Sequence, residues 1–152
     1  MTQHASHSIV IETPRNQVWS TVRDFNSYPT WVDGVTDSHI DDDLTGTTVG
    51  AVRDFGLAGQ RQRQRLVAHS DVDCYFSYEG AGGFDIADGG VQRSIDWYRG
   101  TLRLRDVGGG AACLAEWSAE YSCPASDVAY WDAWWAAALP EWLGSLERHL
   151  AA

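Results

Sequence analysis

The sequence has little positive charge and no long apolar run. Its 152 residues contain 11 Lys and Arg against 21 Asp and Glu, which gives a net charge of −10. Binding to nucleic acid requires clustered positive charge, and an anionic membrane surface would repel such a chain. No stretch approaches the roughly 18 apolar residues of a membrane span. We therefore predict that neither nucleic acid nor membrane is a partner.

Signals for export, metal binding and common cofactors are also missing. The three cysteines, Cys74, Cys113 and Cys123, have no CxxC spacing, and their odd number favours reduced thiols. The N-terminal residues MTQHASHS lack the basic and apolar regions of a secretion signal, so we expect a cytoplasmic protein. The five histidines form neither HxH nor HExxH, and no P-loop, GxSxG or dinucleotide fingerprint is present. We predict no metal and no cofactor.

Tryptophan, in contrast, is abundant. The chain has eight, and four of them (Trp131, Trp134, Trp135 and Trp142) lie close together near the C-terminus. Many tryptophans can form a dense core, or they can line a cavity that stacks on flat or cationic ligands. Composition alone favours the core.

Hydrophobic periodicity and turn residues predict one α+β domain over residues 1–152. A strand at 6–12 precedes two short helices, the first at 16–23 and the second broken by Pro29. Six antiparallel strands are predicted next, with a turn at Ala58 and Gly59 and a mobile Gly-rich loop at 81–90. A long helix follows, from about 126 to 150. The predicted strands are 35–41, 49–57, 60–69, 74–80, 91–107 and 111–123.

Several stretches resemble the SRPBCC superfamily, which includes START domains, aromatic polyketide cyclases, birch-pollen allergens and plant abscisic-acid receptors. They are residues 11–19, 23–35, 49–55, 63–71, 98–104 and 114–118. The resemblance implies a helix-grip fold: a curved seven-stranded antiparallel sheet around a long C-terminal helix, with a cavity for a small organic molecule. Because this superfamily includes cyclases, hydrolases, lyases, lipid carriers and hormone receptors, the fold does not determine the chemistry.

Strand alternation identifies polar residues that would face this cavity. In a one-sided antiparallel sheet, alternate side chains point to the core, and a buried polar group needs a partner or a ligand. Alternation, together with the resemblance, predicts an inward polar stripe, with the two arginine rows (61, 63, 65 and 99, 103, 105) on the solvated outer face. The candidates are Arg53, Gln64, Asp96, Tyr98, Glu116, Ser118 and His39.

Two interpretations of Arg53 and Glu116 stay open. They could form a structural ion pair across the cavity, or Arg53 could orient a carbonyl, enolate or carboxylate while Glu116 moves a proton. Asp96 could line the cavity mouth or be solvated. Relatives in the superfamily often have an acid where this chain has Gln64, and an amide cannot transfer a proton but can still hydrogen-bond a ligand.

We predict a catalytic set of Arg53, Asp96, Tyr98 and Glu116, with aromatic and small residues completing the ligand site. The function we favour resembles that of the polyketide cyclases and dehydratases: acid–base-assisted cyclisation or dehydration of a hydrophobic natural-product intermediate. The alternatives are a non-catalytic carrier or sensor of a hydrophobic metabolite, or a general lipid chaperone. The chain could be a monomer or a homodimer. The predicted substrate-binding residues are Tyr28, Trp31, His39, Phe55, Gln64, Phe76, Tyr78, Ser118, Trp134, Ala138 and Trp142.

Overall fold

The computed structural model describes residues 1–57 and 59–152, and within these ranges the chain forms nine strands and three α-helices. Ala58, half of the predicted turn with Gly59, lies outside the described residues. The strands are β1 (Gln3–Ile11), β2 (Ser38–Ile40), β3 (Val52–Leu57), β4 (Gln60–Ser70), β5 (Tyr75–Gly80), β6 (Phe84–Asp88), β7 (Val91–Ile95), β8 (Trp97–Val107) and β9 (Ala112–Ser122). The helices are α1 (Arg15–Val22), α2 (Tyr28–Trp31) and α3 (Val128–Ala151).

Seven of the strands form one antiparallel sheet in the order β1-β9-β8-β5-β4-β3-β2. α3 packs against β1 and β9, and α1 packs against β8 and β9. The buried face of α3 repeats every three or four residues, which is the spacing of a helix with one apolar side. The predicted helix-grip fold is confirmed. In the described ranges, no helix is both long enough and apolar enough to cross a membrane.

The Gly-rich segment differs from its prediction, because it forms a hairpin rather than a loop. β6 pairs with β7 from Phe84↔Ile95 to Asp88↔Val91, so only Gly89 and Gly90 connect them. Both glycines have positive φ, 57° and 82°, which the tight turn of a right-twisted hairpin requires. The strand predicted at 91–107 is therefore two strands, separated by a bend at Asp96.

Hydrogen bonds connect the second strand of this hairpin, β7, to the N-terminal end of α3. Asp127 accepts hydrogen bonds from the Ser94 backbone N–H and from Arg93 Nη1, each at 3.1 Å. The Trp131 indole N–H donates to the Ser94 carbonyl at 2.9 Å. These contacts hold the hairpin beside the open end of the sheet, where Phe84 packs edge-on against Trp131.

Candidate functional site

A cavity of about 280 Å³ lies between the sheet, α2, α3 and the β6–β7 hairpin. Its lining is mostly aromatic and aliphatic, with polar atoms from glutamines, tyrosines and indoles. The lining residues are Tyr28, Val32, Val35, Phe55, Leu57, Gln60, Gln62, Gln64, Tyr78, Phe84, Ile86, Tyr98, Trp117, Trp134, Trp135 and Trp142. The volume is near the lower end of the roughly 300–1,000 Å³ typical of ligand pockets, so a small ligand is expected.

Arg53 of β3 lies behind the wall of this cavity and has no solvent exposure. Its guanidinium carbon is 3.7 Å from the ring centroids of both Phe25 and Tyr28, which is cation–π distance. Nε and Nη2 donate to Gln64 Oε1 at 2.9 and 2.6 Å, Nη2 donates to the Tyr28 hydroxyl at 2.7 Å, and Nη1 donates to the Phe25 carbonyl at 3.1 Å. Burial lowers the pKa of Arg53, yet a guanidinium remains protonated in proteins.

Gln64 connects this cation to the cavity. Arginine can only donate, so the carbonyl oxygen of the Gln64 amide must face Arg53. The amide nitrogen therefore faces the other way and donates to the Tyr98 hydroxyl at 3.1 Å. Since the Tyr98 oxygen accepts this bond, its own proton is available to a ligand oxygen in the cavity. The orientation follows from donor and acceptor chemistry alone.

The phenols around Arg53 are hydrogen-bond donors at neutral pH. Burial raises the pKa of Tyr98 to about 12, and it raises the pKa values of Tyr28 and Tyr78 above the ordinary value of 10. The Tyr78 oxygen accepts the indole N–H of Trp117 at 3.0 Å. The polar end of the cavity therefore combines neutral donors with one buried positive charge.

Two inward-facing glycines make room for these phenols. Gly100 of β8 lies opposite Tyr78 of β5, and a Cβ at Gly100 would overlap the ring and hydroxyl of Tyr78. A Cβ at Gly80 would likewise overlap the ring of Tyr98. Glycine in the interior of a strand weakens it, and here it permits a close approach of each phenol to the sheet.

The opposite wall is made of aromatic faces. Trp142 of α3 lies with its ring centroid 5.2 Å from Trp117 of β9 and 6.0 Å from Trp134. Phe84 of the hairpin lies 6.0 Å from Trp134 and 5.4 Å, edge-on, from Tyr98. Such surfaces suit a flat, apolar ligand body.

The structure brings together most of the predicted binding residues and leaves others outside the lining. Trp31 and Phe76 are buried in the core beside the cavity, and Ala138 is half-buried on α3. Arg53 contacts the lining from behind. The predicted binding residues that line the cavity are Tyr28, Phe55, Gln64, Tyr78, Trp134 and Trp142, and Tyr98 of the predicted catalytic set lines it as well.

The placement of Glu116 and Ser118 is a correction. On β9 the buried set is Cys113, Ala115, Trp117, Ala119 and Tyr121, because the bulky apolar side chains take the core face. Glu116 and Ser118 have the opposite parity and lie in a shallow depression on the outer face. Both open interpretations of Arg53 with Glu116 are therefore wrong: the two residues form no ion pair, and Glu116 cannot move a proton in the cavity.

His39 and Asp96 are also corrected. His39 is exposed on β2 and lies 3.7 Å from Asp41, since the inward positions of this short strand are Ser38 and Ile40. Asp96 is exposed at the bend between β7 and β8, where the chain leaves the hairpin. Of its two open interpretations, the solvated one is correct. The arginine rows lie outward as predicted; Arg61 pairs there with Asp54.

Prediction from the sequence misses several lining residues. The parity error on β9 places Trp117 on the outer face, although its parity matches that of Tyr121. Phe84 and Ile86 lie in the segment predicted as a loop, and the Gly-Gly pair at 89–90 is the signal that could have identified the hairpin. The other lining residues that are not among the predicted site residues are Val32, Val35, Leu57, Gln60, Gln62 and Trp135; alternation does place Leu57 and Gln62 inward.

The lining, over the described residues, contains no Asp, Glu, His, Lys or Cys side chain. No cluster of potential metal ligands occurs in that same part of the chain. The chemistry that the cavity itself can supply is therefore hydrogen-bond donation by phenols and amides, stacking, and the field of Arg53.

Comparison with known proteins agrees with this architecture. Residues 2–151 match the model of the family described as polyketide cyclase / dehydrase and lipid transport. No curated protein matches the chain. A solved protein of Nitrosospira multiformis is similar at 23% identity and a TM-score of 0.76, covering 96% of this chain and 94% of that one.

Two further solved structures share the fold at lower identity. The di-domain ARO/CYC protein BexL of a biosynthetic pathway has 11% identity and a TM-score of 0.77; the match covers 98% of this chain and 46% of BexL. Norcoclaurine synthase from Thalictrum flavum, solved with dopamine and hydroxybenzaldehyde, has 13% identity and a TM-score of 0.73, with 99% and 87% covered. At these identities the likeness is one of fold.

Proposed function

The chain belongs to the polyketide cyclase / dehydrase and lipid transport family, and we propose that it catalyses cyclisation or dehydration of a flat, oxygenated hydrophobic intermediate without a cofactor. The observation that carries this proposal is the hydroxyl proton of Tyr98, which is available to a ligand. The Tyr98 oxygen accepts from the amide of Gln64, and the orientation of that amide is fixed by its hydrogen bonds from Arg53. A donor fixed in this way, in an apolar cavity, is suited to bind a carbonyl oxygen that becomes more negative during reaction.

The reaction would proceed through an enolate. A carbonyl oxygen of the substrate accepts the Tyr98 proton as a hydrogen bond, and the adjacent carbon loses a proton to water. The enolate carbon then attacks a second carbonyl, whose oxygen takes the proton back from the hydronium ion, or the enolate expels a β-hydroxyl that takes this proton and leaves as water. Because no carboxylate or imidazole lines the cavity over the described residues, the carbon acid itself must be reactive, as is a CH₂ between two carbonyls.

The cavity would contribute to the rate by folding the substrate. Aromatic walls on both sides restrict a flexible chain to compact, flat conformations, and holding two reacting carbons together can replace much of the entropic cost of their encounter. The volume of about 280 Å³ suits a product on the order of two or three fused rings.

A specific observation favours a second candidate, a carrier or sensor of a hydrophobic metabolite. The three phenols with raised pKa values hold their protons tightly, and no lining group in the described ranges has an ordinary pKa near neutrality. A cavity of that kind binds well but moves protons slowly. The same residues would then only anchor the oxygenated end of the ligand.

Turnover of a synthetic aryl triketone, followed by mass spectrometry of its cyclised product, distinguishes the two. For an enzyme, Tyr98→Phe should lower kcat on the order of 100-fold with a small change in KM, because the donor acts on developing charge. Tyr75→Phe is the matched control, since Tyr75 stacks on Arg103 away from the cavity. Tight binding with no acceleration by the wild-type protein would support the carrier instead.

A further inference from the structure

The charge around Arg53 is unbalanced. The guanidinium is fully buried, and its hydrogen bonds go to an amide, a phenol and a backbone carbonyl, all of them neutral. Among the described residues no carboxylate lies within ion-pair distance of Arg53. The other side chains that surround the guanidinium, including Phe25, Phe55 and Tyr78, are neutral as well.

Buried charges normally have an opposite charge beside them, because an isolated ion loses its hydration without compensation. Here the faces of Phe25 and Tyr28 and the dipole of Gln64 supply part of that compensation. The remaining field extends into the cavity, since Gln64 and Tyr28 both contact the guanidinium and line the cavity wall.

We propose that the ligand itself supplies the missing negative charge: the cavity selects a flat, conjugated oxyanion, whose charged oxygen lies at the Gln64–Tyr98 end. This inference rests on the proposed function and specifies its substrate class. A positive charge a few ångströms behind the wall, at an effective dielectric of about 20, gives an anion a preference on the order of tenfold to a hundredfold over a neutral analogue.

Surface electrostatics would act in the opposite direction. The chain has a net charge of −10, so its long-range field repels anions. An anion preference therefore has to originate inside the cavity, and added salt should leave it unchanged or increase it, because salt screens the surface more than the interior.

The test compares matched charged and neutral probes by isothermal titration at pH 8. The first pair is 2-naphthoate against 2-naphthamide, and the second is the phenolate of 2,4-dinitro-1-naphthol against its methyl ether. For the wild-type protein we expect the anion of at least one pair to bind tenfold or more tightly than its neutral partner. The pair that shows the preference identifies the ligand as a carboxylate or a phenolate-like oxyanion.

Gln64→Glu is the decisive variant, because it places a carboxylate on Arg53 at nearly constant shape. It should abolish or reverse the anion preference, whereas Gln17→Glu, the same charge change on exposed α1, should leave it intact. Gln64→Glu would also redirect the Tyr98 proton, so Tyr98→Phe is included. The preference should persist in Tyr98→Phe, since the charge of Arg53 remains.

The outcomes separate this inference from the proposed function. Equal binding within each pair by the wild-type protein, or a preference that survives Gln64→Glu, overturns the oxyanion inference and leaves the proposal of a cyclase intact with a neutral substrate. Loss of the preference in Tyr98→Phe assigns it to the phenol and overturns the inference as well. Failure of every probe to bind overturns both, because the cavity would then not accept flat aromatic molecules.

Discussion

Replacing Gln64 by leucine tests whether the hydrogen bonds to this amide offset the cost of burying the Arg53 guanidinium. The amide oxygen accepts from Nε at 2.9 Å and from Nη2 at 2.6 Å. Leucine is similar in size and accepts neither, so Nε–H loses its acceptor and Nη2 keeps only the Tyr28 hydroxyl. The guanidinium cannot reach water, because Arg53 has no exposed surface.

The expected cost follows from these two bonds. A hydrogen bond to a charged group contributes about 1.5–3 kcal/mol, and removing one partner leaves the other unsatisfied. Allowing for the favourable burial of leucine, we expect the free energy of unfolding to fall by about 3 kcal/mol. For a chain of this length that corresponds to a decrease in Tm of about 6–12 °C.

Urea denaturation followed by tryptophan fluorescence measures this change, with Gln64→Glu as the comparison. The glutamate keeps the acceptor and adds the opposite charge, so it should be at least as stable as the wild-type protein. If Gln64→Leu loses less than about 1 kcal/mol, or if Gln64→Glu is the less stable of the two, then Arg53 does not depend on this amide and the argument for an unbalanced cation fails.

Other predictions concern the phenols and the packing around them. Gly100→Ala should displace Tyr78 and so weaken ligand binding, as titration calorimetry can measure. Gly144→Ala on α3 meets only the end of the flexible Arg148 side chain, and because alanine favours a helix more than glycine does, it should raise the free energy of unfolding by about 1 kcal/mol in the denaturation assay. Burial raises the pKa of Tyr98 from 10 to about 12. The protonated phenol therefore stabilises the fold fully below pH 10, and this contribution is lost as the pH rises to 12. The wild-type protein should lose about 3 kcal/mol of stability between pH 8 and pH 12 through this group, and Tyr98→Phe should not, as unfolding measured at the two pH values can show. The pKa of Asp71 is lowered by hydrogen bonds from a guanidinium and an indole, so its contribution is present above the ordinary carboxyl pKa and is lost on acidification; Asp71→Asn should reduce Tm at pH 7 and narrow the difference in Tm between pH 7 and pH 2.

Strand alternation, with the family resemblance for β3, correctly predicts the inward residues of β3, β4, β5 and β8, but it misplaces those of β9 and His39 of β2. β3, β4, β5 and β8 each have one apolar parity, so Arg53, Gln64, Tyr78 and Tyr98 can be identified from their apolar neighbours. β9 also has a clear apolar parity, but the prediction places its polar set inward. The correct parity on β9 is the one that contains the bulky aromatic residues Trp117 and Tyr121.

The β6–β7 hairpin illustrates a different limit. Its strands have only five residues each, are flanked by glycines and form a separate two-stranded sheet, so hydrophobic periodicity is weak. Tertiary contacts position the hairpin. Asp127 forms an ion pair with Arg93 and accepts the Ser94 backbone N–H, and the indole of Trp131 donates to the Ser94 carbonyl. These contacts join segments more than 30 residues apart, and such contacts leave no local pattern in the sequence.

The partner of Arg53 could have been found from strand register. β3 and β4 form a hairpin in which Arg53 lies directly across from Gln64, and directly opposed side chains on the same face are close enough to bond. The interpretation that pairs Arg53 with Glu116 instead joins β3 to β9, a distant strand of the sheet. Neutral acceptors and aromatic faces can hold the cation in place, but they leave its charge uncancelled. In this chain the inward neighbour opposed to Arg53 is an amide, and the described residues place no carboxylate at ion-pair distance from its guanidinium, so the register and the contacts together make Arg53 a candidate to hold an anionic ligand.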